Sequence, residues 1–266
     1  MAGEQIKWAI FDLDDTVYDY NHSNEKWSEA VVSYTEKMLN QEITNKQKDI
    51  ADVFHSTDGK HGFVEKPKAI SRKDIKEAIS LGRKETNEAM PHQWAWHSRL
   101  LYFQKAIEKL TGRTHFELTL EMEKVFWDAF VEHMEVYDGA LDILKKLKQS
   151  NRKVTILTDL TAQIQHKKII KLLWWNQHYV DYLVSSEEVW VEKPDPAWFR
   201  LSLQKMNLNA DEVCMIGDNY KKDILWAKKA WITKLYHKIN GEKWKEYQDD
   251  TEVTHFQFFS EIEGDF

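Results

Sequence analysis

Four short apolar runs in this chain end in, or soon reach, residues that can do chemistry. The first, Ile6 to Phe11, runs into Asp12, Asp14 and Thr16, and the second, Lys153 to Leu157, runs into Thr158 and Asp159. Lys193 follows the third, Val180 to Ser185, after a short loop, and the fourth, Val213 to Gly217, delivers Asp218, with Asp223 five positions beyond it. A buried strand that ends in a carboxylate carries it to the edge of a sheet, where open α/β sheets do their chemistry. Several carboxylates, a hydroxyl and a lysine would then share one edge. Carboxylates that close repel one another unless a cation lies among them, so the pattern implies a divalent metal on oxygen ligands. Mg²⁺ suits one or two carboxylates, a carbonyl and retained waters.

The elements that must position these residues alternate. Helical patterns at 139–149, 161–173 and 220–230, and one from Pro194 to Met206 with a first-turn proline, separate strands at 153–158, 180–185, 213–217, 232–237 and 253–258. Alternation of this kind predicts a doubly wound, mostly parallel sheet with helices on both faces, an α/β core of Rossmann-like type. Between the first and second strands the rhythm is helical throughout. Trp27, Ala30, Val31, Tyr34 and Met38 fall on one stripe, Ser71 can cap a second helix reaching Met90, and 97–110 and 118–134 supply two more. The chain is therefore read as a core of residues 1–17 and 134–266 with an all-helical cap, 18–133, inserted directly after the Asp12 strand. An insert at that place is expected to act as a lid.

Composition narrows the setting. The chain has 266 residues and a net charge of -7, so it lacks an electrostatic footprint for nucleic acid. No apolar stretch at its start is long enough for a signal peptide or a membrane span. Its one cysteine, Cys214, sits in an apolar run and reads as a small buried hydrophobe; a cytoplasmic chain, monomer or homodimer, is expected. His22, His55, His61, His92 and His97 are scattered through the helical region without the spacing of a zinc site. Phe126, Trp127 and Phe130 are most simply core.

Taken together, Asp12-Leu13-Asp14-Asp15-Thr16, Thr158, Lys193-Pro194 and Gly217-Asp218-Asn219 with Asp223 resemble, in order, the four motifs of the haloacid dehalogenase superfamily of phosphotransferases. The resemblance covers the whole core and implies a Mg²⁺-dependent phosphomonoesterase acting on a small phosphorylated metabolite. It implies that Asp12 attacks phosphorus to form an aspartyl-phosphate, and that Asp14 protonates the leaving alcohol and later deprotonates water. Thr158, with Asp159 beside it, is implied to hold the phosphoryl group and Lys193 to neutralise it. Mg²⁺ would rest on Asp12, the main-chain carbonyl of Asp14, and Asp218; Asp223 would serve the metal or orient Lys193, with Thr16 in support. Asp15 and Asp159 are equally read as caps of the turns that follow them. The loop from His55 to Phe63 is expected to touch the leaving group. Glu65-Lys66-Pro67 copies the Glu192-Lys193-Pro194 triplet but lies in the helical insert, where Lys66 reads as solvated.

Other readings follow from the same residues. A dehalogenase would dispense with Asp14, and the resemblance favours Thr at position 16 for phosphatases and Val for phosphomutases; a nucleoside monophosphate phosphatase and a sugar phosphomutase remain the nearest alternatives. From outside enzymology, a binding or scaffold protein that keeps the fold is suggested by 12 Trp against 9 Gly. Trp190, Trp226 and Trp231 stand where the family usually has Gly or another small residue. A left-handed position after a helix costs a non-Gly residue about 1 to 2 kcal/mol, and overpacking at Trp226 would add about 1 to 3.

Overall fold

A computed structural model describes residues 6–56 (side chains as far as 48), 69–89, 98–189, 193, 195–240, 247 and 249–266. The chain divides into two compact units, Met1–Ser23 with Val131–Phe266, and Asn24–Phe130. Residues 57–68, which include most of the His55 to Phe63 loop and the Glu65-Lys66-Pro67 triplet, lie outside the described residues, as do His92, His97, Trp190, Glu192 and Pro194.

The first unit is a six-stranded parallel sheet in the order β3-β2-β1-β4-β5-β6. Its strands are β1 (Trp8–Phe11), β2 (Lys153–Thr158), β3 (Tyr182–Ser185), β4 (Val213–Gly217), β5 (Lys234–Lys238) and β6 (Val253–Phe256). β1 and β4 are buried along their full length and β2 from its second residue on, so these strands read as continuous apolar runs rather than alternating ones. Phe11 lies level with Ile156 on one side and Ile216 on the other, and the Asp12 amide donates to the Ile216 carbonyl at 2.9 Å. That register brings the ends of β1, β2 and β4 to one edge. The strand order turns about β1, whose neighbours β2 and β4 are far apart in sequence, and such a switch point opens a crevice at the strand ends.

Helices α5 (Ala140–Gln149), α6 (Ala162–Leu173), α7 (Ser186–Val189), α8 (Pro196–Met206) and α9 (Leu225–Lys229) connect the strands. Where residues 194 to 206 were expected to be helical throughout, α8 starts at Pro196: Asp195 caps it, its side chain accepting from the Ala197 amide at 2.7 Å, so Pro196 holds the first-turn place expected of Pro194. The last strand ends at Phe256, short of the expected Phe258, and β3 starts at Tyr182. Tyr220–Ile224 is a π-helical turn leading into α9. Cys214 is fully buried, and burial pushes its thiol up to about 12, which suits a packing residue and not a nucleophile.

The second unit holds α2 (Arg72–Ala89), α3 (Arg99–Thr111), α4 (Phe116–Glu132) and most of α1 (Tyr20–Ser56), which runs well past the expected Leu39 and takes His55 and Ser56 into the helix. An aromatic cluster forms its core. Phe126 packs at 4.8 Å from Trp27 and 4.7 Å from Trp127, and Phe103 and Phe130 lie about it. Among the described residues no helix is long and apolar enough to cross a membrane.

The tryptophans divide by location. Trp226 does not overpack the core as expected: it lies half-buried at the margin of the cluster formed by Trp198, Phe199 and Ile224, with the Lys229 ammonium 3.7 Å above its ring. Trp231 does take the left-handed conformation, at φ 70°, and is 78 % exposed, so it bears backbone strain with little burial in return. Trp231→Gly is therefore expected to stabilise the protein by about 1 kcal/mol, read as a higher urea midpoint at unchanged slope. An unchanged or lower midpoint would show that the ring contributes more than the strain costs.

Candidate active site

Asp12 ends β1 and is buried to 6 % exposure. One carboxylate oxygen takes the ammonium of Lys193 and the other accepts from the Thr16 hydroxyl at 3.2 Å. Lys193 is itself buried and reaches Asp223 Oδ1 at 2.8 Å, while Thr16 also donates to Asp218 Oδ1 at 3.3 Å. One ammonium and one hydroxyl thus link Asp12, Asp218 and Asp223, which belong to strand ends about 200 residues apart.

Local structure explains how these side chains are held. Asp223 sits in the π-helical turn after β4, where its backbone amide donates to the Asn219 carbonyl at 2.7 Å and its Oδ2 accepts the Asn219 amide at 3.1 Å. Gly217 makes room for it: a Cβ at that position would lie 2.5 Å from the Asp223 side chain. Asp159 is drawn back from the centre of the cluster. Its Oδ1 accepts the Lys193 backbone amide at 3.2 Å, so it steadies the backbone at Lys193. Thr158 is buried, its hydroxyl 3.4 Å from the Asp159 carbonyl. Asp15 takes a left-handed turn at φ 58° and caps α1 by accepting the Tyr20 amide at 3.0 Å, the structural role open to it from the sequence.

Electrostatics at this edge are set by an excess of carboxylate. Burial works against the Lys193 ammonium, but Asp12, Asp223 and Asp159 outweigh it and hold the group above the ordinary lysine range. Burial, followed by the neighbouring carboxylates, raises Asp12 well above the ordinary carboxylate range even with Lys193 beside it. Asp218 is pushed up to about 8, by burial first and then by Asp223 and Asp15. Asp12, Asp218 and Asp223 can each present an oxygen within 4.8 Å of the others. Three hard oxygen donors with surplus negative charge fit a divalent cation. Asp14 contributes no carboxylate oxygen to this group.

The Asp14 side chain points to a different set of partners. Lys168, on α6, donates to both of its oxygens, at 2.7 and 3.0 Å, and the Tyr18 hydroxyl donates at 2.6 Å. Neither partner was expected from the sequence, although Lys168 interrupts the core-facing stripe of Gln165, Lys168 and Leu172, and a lysine on such a stripe needs a partner. His237 and Lys238, at the end of β5, were also missed. Burial pushes His237 down to about 4, so its neutral ring donates from Nε2 to the Asp218 carbonyl at 3.0 Å. Its Nδ1 must then accept from His255 Nδ1 at 3.0 Å. Lys238 packs 3.7 Å from the Tyr137 ring centre and reaches Asn240, whose amide donates to the Asp15 carbonyl at 2.6 Å. A separate hollow of about 690 Å³ in the helical unit, lined by Tyr34, Met38, Glu42, Arg113, His115 and Phe116 among others, contains none of these residues.

A family description of haloacid dehalogenase-like hydrolases matches residues 6–230. The chain belongs to this family. It is 28% identical over 219 residues to the ribulose-1,5-bisphosphate 5-phosphatase of Halopiger xanaduensis, covering 82% of this chain and 79% of that one. It is 27% identical over 246 residues to the glyceraldehyde 3-phosphate phosphatase of Methanocaldococcus jannaschii, with 92% and 90% covered. Within the family the chain is a phosphatase. Its fold is similar to that of a 2-haloacid dehalogenase from Pseudomonas syringae, at a TM-score of 0.64, 19% identity and 97% and 96% coverage.

The raised Asp218 gives a test of the cation site. Between an ordinary carboxylate value of about 4 and its folded value of about 8, the metal-free folded state binds more protons than the unfolded chain. Its stability therefore falls as pH rises through that window. A divalent cation competes for the same oxygens, so the rise in Tm on adding Mg²⁺ should grow as pH is raised across the window. A Tm increment that does not vary with pH there would place the cation elsewhere.

Proposed function

We propose that this protein is a Mg²⁺-dependent phosphomonoester hydrolase that works through an aspartyl-phosphate on Asp12 and acts on a small phosphorylated metabolite. One observation carries the reading: Asp12 is buried at a strand end, gripped by Lys193 and Thr16, and shares its edge with Asp218 and Asp223. A carboxylate so placed is fixed for attack, with a cationic group alongside to neutralise the phosphoryl oxygens.

In the first half-reaction an oxygen of Asp12 bonds to phosphorus as the ester P–O bond breaks, and Asp14 gives its proton to the departing alcohol oxygen. In the second, water attacks the phosphoryl group, Asp14 takes a proton from that water, and the bond to Asp12 breaks to release inorganic phosphate. Lys193 spreads the charge of the transferring group and Thr158 donates to it. Asp223 orients Lys193 through its 2.8 Å bond, while Asp159 holds the backbone of the same residue. Asp12, Asp218 and the Asp14 carbonyl would hold Mg²⁺, which when bound supplies neutralising charge to the phosphoryl oxygens.

The named activities of the two relatives, on a sugar bisphosphate and a triose phosphate, favour a phosphorylated sugar or similar short carbon chain as substrate. A panel of such phosphomonoesters, assayed with Mg²⁺ and with chelator, is expected to show phosphate release that chelator abolishes and Mg²⁺ restores. Asp12→Asn should eliminate turnover and radiolabel capture on the protein, because an amide oxygen is a poor nucleophile. Undiminished turnover by folded Asp12→Asn protein would overturn the covalent mechanism, and full activity in excess chelator would overturn the metal's part in it.

A further inference from the structure

We propose that Lys168 and Tyr18 are positioning residues that hold the Asp14 carboxylate in the orientation its proton transfers require. The inference rests on the acid and base role proposed for Asp14 above.

The geometry is specific. Lys168 Nζ lies 2.7 Å from Oδ1 and 3.0 Å from Oδ2 of Asp14, and the Tyr18 hydroxyl lies 2.6 Å from Oδ1. Three donor contacts on two oxygens define the plane of the carboxylate as well as its location. The donors are themselves fixed. The Lys168 side chain is 0% exposed, and its ammonium sits 5.7 Å from the Tyr18 ring centre and 5.9 Å from that of Tyr20. Tyr18 is fully buried, and its backbone bridges to Asp14 on one side and Val136 on the other.

Stability alone gives no reason for a lysine at this position. Burying an ammonium costs several kcal/mol, and an apolar residue on the stripe of Gln165 and Leu172 would pack without that cost. The carboxylate it meets is 29% exposed and would otherwise rotate in contact with water. A group that must give a proton to one oxygen and take it from another is sensitive to placement, since an error of about 1 Å costs on the order of a hundredfold in rate. Lys168 and Tyr18 remove that freedom without touching the substrate. Both also reach Asp14 from outside the Asp12, Asp218 and Asp223 group, so changing them leaves those donors in place.

The test is single-turnover phosphorylation of Asp12, compared between para-nitrophenyl phosphate, whose leaving group needs little protonation, and glycerol phosphate, whose leaving group needs it. Lys168→Met keeps the length of the side chain and removes the donor. It is expected to slow phosphorylation by glycerol phosphate at least about tenfold more than by para-nitrophenyl phosphate, both measured at saturating Mg²⁺. Tyr18→Phe, which keeps the buried ring, should act in the same direction to a smaller extent and decides the matter if Lys168→Met does not fold. Equal slowing on both esters, or none, overturns the positioning role. Asp14→Asn in the same assay separates the acid role from the positioning role: if it is insensitive to the leaving group, the acid role fails and the positioning role with it. If Asp14→Asn discriminates and the other two variants do not, only the positioning role falls.

Discussion

The ammonium of Lys193, placed between Asp12 and Asp223, is the interaction on which the edge formed by the ends of β1 and β4 depends. All three groups are buried, so each needs the others: removing one partner from such an arrangement leaves an unanswered charge, at a cost of about 3 to 5 kcal/mol. The bond is also a piece of topology. It joins the end of β1 to the turn after β4 through a residue that lies between α7 and α8 in the chain, and so fastens both sides of the switch point at once. One lysine cannot balance three carboxylates, however, and Asp12 and Asp218 are raised by their burial first and by the neighbouring carboxylates after it. The fold builds an edge that is electrostatically incomplete by itself, which is the condition under which a bound cation has most to contribute.

Beside the ammonium contacts of Lys193 and Lys168, three neutral hydrogen-bonding groups orient this edge without adding charge to it. His237 is kept neutral by burial and donates to the Asp218 carbonyl, which fixes its proton on Nε2 and leaves Nδ1 to accept from His255. Asn240 donates to the carbonyl of Asp15, and Thr16 spans Asp12 and Asp218 with a hydroxyl. Each contact orients a backbone or side-chain oxygen of a motif loop. A cationic donor in their place would have competed with a metal for the same carboxylates.

How much of this was legible follows from what a strand does to a sequence. Asp12, Asp218 and Thr158 stand out because a continuous apolar run that stops at a carboxylate or hydroxyl marks the point where a strand leaves the core, and parallel register then brings the runs level. Lys193 does not end an apolar run, and only its membership of an ordered set of motifs distinguished it from Lys66. Lys168 was not found because it lies within α6 and not at its end: a lysine on a helix reads as solvated, and its burial is decided by packing that no single stretch contains. The same limit applies to Trp226, whose position after the fourth motif suggested a crowded core, whereas the π-helical turn and short α9 leave its ring at the margin. Trp231 was legible because the conformation after a helix end is a local property.

Asp12 and Asp14 are two residues apart, yet they occupy unlike environments. Asp12 is enclosed, its oxygens divided between a buried ammonium and a hydroxyl that also serves Asp218. Asp14 is partly open to water and held by α6 and by Tyr18. Under the proposed mechanism this division is required. A nucleophile must be fixed and shielded so that its attack is aligned, whereas an acid and base must stay in reach of both an alcohol and a water. The turn formed by Asp14, Asp15 and Thr16 accomplishes it: Asp15 adopts the left-handed conformation that ends the strand direction, so Thr16 returns to Asp12 while Asp14 is left facing α6. A single strand end thereby presents two carboxylates of one chemical type in two roles, and the difference lies in which helix, loop and hydroxyl each of them meets.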